Sequence, residues 1–300
     1  MLPSFQPMLA FPAAPFDSDD HLFEVKWDGI RALAYLDGKT KLISRQNRDL
    51  SPRYPELEGI HRRFGDKAVV DGEIVCFVDG KPSFYWLQRR NLRGAATYPA
   101  VYIVFDLLYY GNKDVCQLPL IERKGLLQRS LDPGENVALS GFILARGIDY
   151  YRAAKDHGLE GIMAKDIESP YLSGRRSRSW LKIKVRQVIN SAIGGYLTTN
   201  GALKSLLLGA KDVDGLRYIG AVGSGFTEGE RMDLAQRLAK LSIPSPVLLD
   251  VPLDVAQRAR WTEPELTCRV EYLELTPEGL LRHATYKGLT HAPCDPLPRR

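Results

Sequence analysis

Glu24-Val25-Lys26-Trp27-Asp28-Gly29-Ile30-Arg31 sets a lysine directly after a short apolar run and follows it with an Asp-Gly turn and an arginine. A free lysine amine has a pKa of roughly 10.4 and is a poor nucleophile at neutral pH. Neighbouring positive charge, or burial, favours the neutral amine and frees its lone pair. Phosphate chemistry has a use for such a group, because attack on a nucleotide phosphate gives a covalent lysine–nucleotide bond. Arg31 would then hold phosphate oxygens with its planar fork. Alone, the octet also reads as a surface hairpin.

Working outward, 300 residues predict two domains, with one large domain as the alternative. An apolar fraction of 44% supports a real core. No apolar run reaches the length of a membrane span. Residues 1–16 lack a basic start and carry Pro3, Pro7, Pro12 and Pro15, so they do not read as a signal peptide, and the expected location is the cytoplasm. Cys76, Cys116, Cys268 and Cys294 are far apart, without metal-ligand spacing, and the five histidines form no zinc pattern. The net charge of +5 permits a polyanionic partner without demanding one. Three arginine clusters say more: Arg45, Arg48 and Arg53; Arg89, Arg90 and Arg93; Arg175, Arg176 and Arg178. They read as a phosphate-lined groove or as solvated faces.

Residues 1–22 read as an extended, proline-punctuated lead-in to a strand at Phe23–Val25. Ala32–Leu36 and Lys41–Ser44 form a hairpin about Asp37-Gly38. Pro55 opens a helix ending near Gly65, and Ala68–Val78 is a strand containing Asp71-Gly72-Glu73. Those two acids suggest a metal or ribose ligand, or a solvent-facing strand edge. Phe84–Arg93 is helical, and Val101–Leu108 is a buried strand carrying one acid, Asp106, a frequent site design. Helices follow at Leu118–Leu131 and Tyr150–His157, then strands at Glu160–Lys165 and Trp180–Val185. Lys182 and Lys184, two apart on a strand, share a face and make either an anion clamp or an exposed strand surface. Beyond Arg186 come strands at Ile189–Leu197, Ser205–Ala210 and Leu216–Val222. A helix at Glu228–Leu241 with an apolar face including Met232 follows, then strands at Leu266–Leu275 and Leu280–Tyr286. Five short strands with a helix between the third and fourth fit an oligonucleotide-binding (OB) barrel.

In order, the chain presents Lys26-Trp27-Asp28-Gly29-Ile30-Arg31, Ser44-Arg45, Asp71-Gly72-Glu73, Val104 to Leu108, Glu160 to Lys165, and Trp180-Leu181-Lys182-Ile183-Lys184. This series resembles the collinear motifs of covalent nucleotidyltransferases: ATP-dependent DNA ligases, RNA ligases and messenger-RNA capping enzymes. With Val222-Gly223-Ser224-Gly225-Phe226 and Arg260-Trp261, it most resembles the compact bacterial ATP-dependent DNA ligases of the end-joining type. The resemblance implies an α+β fold. A nucleotidyltransferase (ATP-grasp-like) domain of antiparallel sheets and helices over 1–187 precedes an OB-fold barrel over 188–300. It implies that Lys26 becomes adenylylated and that Glu24 recognises the adenine amino group. By the same resemblance Arg31 and Arg45 contact nucleotide and 5′-phosphate, Glu73 contacts ribose and supports the metal, and Phe105 stacks on adenine. Glu160 goes with the metal, and Lys182 and Lys184 hold the α-phosphate. The implied cofactors are ATP and Mg2+ or Mn2+. The implied partners are nicked or broken duplex DNA and a DNA-end-binding protein, with no membrane, and a monomer is expected.

The resemblance departs at one point. The family places an arginine and a lysine shortly after a segment like Tyr286-Lys287-Gly288-Leu289, and here Thr290-His291-Ala292-Pro293 follows. That motif orients pyrophosphate, so slow self-adenylylation is expected, with Lys287 or Arg282 as substitute cations. The alternatives are RNA ligation or GTP-dependent capping, against which Glu24 speaks, and a DNA-binding protein that has lost catalysis.

Overall fold

The computed structural model describes residues 2–93, 98–276 and 278–298, without the side chains of 90–93, so Arg90 and Arg93 of the second arginine cluster lie outside the described side chains. The chain divides into two units, Met1–Val185 and Arg186–Arg300.

The first unit is built on two sheets. One runs Leu9–Pro12, Arg176–Lys184, Gly161–Asp166, Ser18–Val25 and Phe142–Ala145, antiparallel apart from the parallel Leu9–Pro12 edge. The other is founded on Thr40–Ser44, Ile30–Leu36, Ala68–Val78 and Ala100–Tyr110, all antiparallel, with Val137–Leu139 added in parallel. Strand alternation gives each sheet two distinct faces. Phe23, Ile162, Ala164 and Ile183 on one side of the first sheet are buried with Ala154 of helix Gly147–Asp156. Ala32, Ala34, Leu36, Val70 and Tyr102 of the second sheet pack with Leu127 of helix Leu120–Ser130. The remaining faces meet through Leu33, Val69 and Phe105 with Met8, Tyr171 and Trp180. Each buried Val, Leu, Ile, Phe or Met among these stabilises the fold by about 1.5–3 kcal/mol.

The opening octet is the crossing between the sheets: Ser18–Val25 belongs to the first and Ile30–Leu36 to the second. A Cβ on Gly29 would stand 2.2 Å from the Ile74 carbonyl oxygen, so only glycine lets the crossing pass that close.

Local sequence misplaces several elements. The proline-rich lead-in contains the strand Leu9–Pro12, which rests on hydrogen bonding to a segment about 170 residues away rather than on local propensity. Pro12 is tolerated because this strand is an edge. The helix expected from Pro55 is a 3-10 segment, Pro55–Arg63, following another at Ser51–Arg53; two prolines and a central Gly59 disfavour a regular α-helix. The edge strand Phe142–Ala145 has no alternating local sequence signal; it leaves Phe142 and Leu144 exposed.

In the second unit, Gln187–Thr199 is the hub, pairing antiparallel with Ala202–Asp212, Arg260–Thr262 and Thr267–Tyr272. Gly215–Val222 and Thr285–Thr290 extend the sheet. Helix Glu228–Lys240 opens with a Thr227–Glu230 capping box and buries Leu234 and Leu238. Its buried stripe is narrower than expected, leaving Met232 60% exposed. The two last expected strands are recut. The first ends at Tyr272, and Glu274–Leu275 pairs with Leu281–Arg282 as a small ribbon. His283 then takes a φ of 54°, a left-handed turn that breaks the chain before Thr285–Thr290.

Candidate active site

Across the first sheet, directly opposed residues share a face. Leu22, Lys165 and Trp180 form one row, and Glu24, Met163 and Lys182 the next. Lys26 follows beside Gly161 and Lys184, with its backbone N–H donating to the Gly161 carbonyl at 2.9 Å. The register thus aligns the charged residues of three separated segments on the face opposite Phe23, Ile162 and Ile183. Gly161 has a φ of 148°, and a Cβ there would lie 2.2 Å from the Ile183 carbonyl oxygen, so the row closes only around glycine.

These residues wall a cleft. Glu24, Lys26, Met163, Lys165, Trp180 and Lys182 line one side; Arg31, Glu73 and Phe105 come from the second sheet and Arg45 from the turn after its strand Thr40–Ser44; Leu9, Ala10 and Arg176 close the edge. Lys184 does not line it directly but is tied to it. Glu160 pairs through Oε2 with Lys26 Nζ and through Oε1 with Lys184 Nζ at 2.8 Å. Glu24 is buried, with Lys124 Nζ on Oε1 and Lys165 Nζ 2.7 Å from Oε2. Arg31 donates from Nε to Asp71 Oδ1 at 3.0 Å and from Nη2 to Oδ2 at 2.6 Å, while Tyr171 O–H donates to Oδ2 at 2.7 Å. The Arg31 guanidinium also lies 5.4 Å from the ring centroids of Phe105 and Trp180. It therefore enters the cleft already anchored.

Two of the three strand acids turn away from the cleft. Asp71 is spent on Arg31 and Tyr171. Asp106 is fully buried against Arg123, which donates from Nε at 2.8 Å and Nη2 at 2.9 Å. Glu73 remains on the wall, opposite Arg31 in register. Of the arginine clusters, Arg45 and Arg176 reach the cleft. Sequence reasoning singled out no role for Arg176, Met163, Leu9, Ala10 or Lys124; the cluster Arg175, Arg176 and Arg178 was a signal for the first, and Lys124 had none.

The electrostatics follow from this crowding. Burial pushes the Glu73 carboxyl up to about 8, against the pull of Arg31 and Lys26 and with help from Asp71 and Glu160. Burial works against the Arg31 charge, yet Asp71 outweighs it and holds the guanidinium above its ordinary range. Partial burial lowers Lys182, as do Arg176, Lys184, Lys26 and Arg45. Burial lowers Lys165 to about 8, with Glu24 opposing and Lys124 assisting. Unfolded, Lys165 keeps its proton to about 10.5, so between about 8 and 10.5 the unfolded chain binds more protons and stability from this residue rises with pH. Lys165→Met is expected to remove a slope of up to about 1.4 kcal/mol per pH unit in that window, read as the difference between the two proteins in denaturant titrations. Identical slopes would show that Lys165 keeps its proton in the folded state.

Two buried donors, Lys165 Nζ and Trp180 Nε1, lack a hydrogen-bond acceptor among the described residues, although Lys165 stands at ion-pair distance from Glu24. A ligand with acceptor atoms beside Phe105 and Trp180 would satisfy them. No group of three or more His, Cys, Asp or Glu able to hold a metal occurs among the described residues. Glu73 on the cleft wall and Glu160, held by Lys26 and Lys184, lie close enough to repel one another, and carboxylates are the donor type a hard cation takes. The mutual repulsion of these two acids is what such a cation would relieve.

Comparison with known proteins gives the same outline. The family model described as ATP dependent DNA ligase domain matches residues 7–184, and that described as ATP dependent DNA ligase C terminal region matches residues 199–292. The chain is 34% identical over 293 residues to the multifunctional non-homologous end joining DNA repair protein LigD of Mycobacterium tuberculosis, covering 94% of this chain and 38% of that one. It thus spans under two-fifths of that relative's length. The crystal structure of the ligase domain from M. tuberculosis LigD is 31% identical, with a TM-score of 0.59 and 95% of each chain covered. A mycobacterial DNA ligase D complexed with ATP and MES is 30% identical, with a TM-score of 0.59 over 97% of this chain and 96% of that one. These likenesses run through both units, a nucleotidyltransferase assembly of sheets and helices and an OB-fold, and with the matched models they establish that the chain belongs to the ATP-dependent DNA ligase family.

Proposed function

We propose that this chain seals nicks or breaks in duplex DNA through a lysine–AMP intermediate, in DNA repair by end joining. The observation that carries the reading is the alignment of Lys26, Lys182 and Lys184 on one sheet face, with Glu160 bridging two of them, beside a cleft lined by Glu24 and Phe105. Lys26 Nζ releases a proton to solvent, leaves Glu160 and attacks the α-phosphorus of ATP. The N–P bond forms as the bond to the bridging oxygen of pyrophosphate breaks. AMP then passes from Lys26 to the 5′-phosphate of a nick, and the 3′-hydroxyl attacks that activated phosphate and displaces AMP. Lys182, Lys184 and Arg45 stabilise the charge that develops at phosphorus. Bound by Glu73, Glu160 and phosphate oxygens, Mg2+ or Mn2+ would add charge stabilisation there.

The end-joining setting rests on the likeness to a relative named for end joining, and a DNA-end-binding partner would belong to that setting. A cytoplasmic location is supported by four free cysteines, and no helix among the described residues is long and apolar enough to cross a membrane. A panel of DNA and RNA nicks with ATP or GTP tests the reading: sealing of DNA nicks with ATP is expected, and sealing confined to RNA or to GTP would replace it.

The first step is expected to be slow. The two substitute cations lie exposed in surface ion pairs, Lys287 with Glu271 at 3.1 Å and Arg282 with Glu274. Thr290→Arg is expected to raise the rate of self-adenylylation several-fold while leaving the sealing of a pre-adenylylated nick unchanged. An unaltered first step would count against the altered motif as its cause.

A further inference from the structure

The cleft floor holds one carboxylate between two ammonium groups, and only one of those two belongs to the cleft wall. Glu24 and Lys165 line it, whereas Lys124 reaches Glu24 Oε1 from helix Leu120–Ser130. All three are buried, with relative exposures of 1%, 1% and 6% for Glu24, Lys165 and Lys124. Lys124 Nζ also lies 5.5 Å from the centroid of the Phe142 ring. Its chain neighbour Arg123 is locked to Asp106 and donates to the carbonyls of Leu118 and Ser169 at 2.6 and 2.9 Å, so the helix cannot drift from the sheet. A lysine ordered this deeply gives up hydration and rotamer freedom, and Glu24 is its one ionic partner among the described residues.

We infer that Lys124 is a positioning residue for nucleobase selection. By holding Oε1 from behind, it keeps the Glu24 carboxylate turned so that its remaining acceptor sites face the cleft, where they accept from the exocyclic amino group of a 6-aminopurine. The inference rests on the reading of the cleft as a nucleotide site. A carboxylate has about four lone-pair sites, so two lysines leave it able to accept further. A 6-oxopurine would set a carbonyl oxygen against it, which is repulsive, and a purine bare at position 6 would forgo the hydrogen bond to it. Without Lys124 the carboxylate would swing to Lys165, its one remaining cation, and lose its aim.

The test compares ATP with purine riboside triphosphate, which lacks the 6-amino group. The readout is the rate of covalent labelling at subsaturating nucleotide, followed by intact-protein mass. In the unsubstituted protein, ATP is expected to be favoured by about ten- to a hundredfold, as for a hydrogen bond to a charged group. In Lys124→Met that preference is expected to fall to within about threefold of unity, while Lys124→Arg, which restores the cation, recovers most of it. Lys124→Gln serves the same comparison, and thermal melting confirms that each variant is folded. Equal slowing of both nucleotides in Lys124→Met or Lys124→Gln, with the preference intact, would make Lys124 merely structural and overturn the inference. Failure of the unsubstituted protein both to label and to bind ATP at equilibrium would instead overturn the nucleotide-site reading beneath it.

Discussion

Lys26→Ala is expected to carry no covalent AMP and to lose strand sealing with ATP by roughly 10³-fold or more, the scale for deleting a nucleophile that nothing else replaces. The geometry explains why neighbouring lysines do not stand in. Lys184 is held by Glu160 at 2.8 Å, and Lys165 is buried beneath the rings of Phe105 and Trp180, facing Glu24. Lys182 lines the cleft one row further along the sheet. Lys26→Arg is expected to fail equally, since a guanidinium stays protonated and offers no lone pair. Both variants are expected to retain binding to nicked DNA and to seal a nick that already carries AMP, because the final displacement uses the 3′-hydroxyl as its nucleophile. Gel-resolved sealing of the two substrates side by side checks this. ATP-dependent sealing at an unchanged rate in Lys26→Ala would remove the covalent mechanism.

The second large effect is on stability. Asp106→Ala is expected to destabilise the first unit by about 3–5 kcal/mol, because it strands the fully buried Arg123 guanidinium without its counter-charge. Burial works against that charge, and Asp106 offsets it, holding Arg123 above its ordinary range. For a unit of this size the loss corresponds to a fall in melting temperature on the order of 10 °C. Replacing both residues together, Asp106→Leu with Arg123→Met, is expected to cost far less, since no charge is then left behind. Denaturant titrations of the three proteins separate the outcomes. A single-substitution loss below about 1 kcal/mol would mean that water reaches Arg123. Function follows from the same pair: Phe105 precedes Asp106 on the strand, and Lys124 follows Arg123 on the helix, so loosening the pair loosens both cleft wall and cleft floor.

What was legible in the sequence was whatever repeats at short range. The period of two placed Lys182 and Lys184 on one face, and the Asp-Gly turn after Lys26 marked a sharp change of direction. The structure makes that change the passage from one sheet to the other. The order of motifs carried the family, which the family comparisons then established. Long-range pairings were not legible. Leu9–Pro12 looks like a coil until the strand Arg176–Lys184 lies beside it. An acid on a buried strand looks alike whether it faces a ligand or an arginine, so Asp71 and Asp106 read as candidates until Arg31 and Arg123 were found on them. Lys124 sits in an ordinary helical pattern, and nothing within a turn of it in sequence points to Glu24, 100 residues earlier.

The most direct test of the account is to follow AMP itself. The protein is incubated with ATP labelled at the α-phosphate and with magnesium, freed of nucleotide, weighed intact, and then mixed with nicked duplex DNA. A single added AMP, mapped to a peptide containing Lys26 and discharged on to the 5′-phosphate of the nick ahead of sealing, is the predicted result. Nicked DNA bound and sealed with no AMP ever passing through the protein, or AMP carried on a residue other than Lys26, would contradict it.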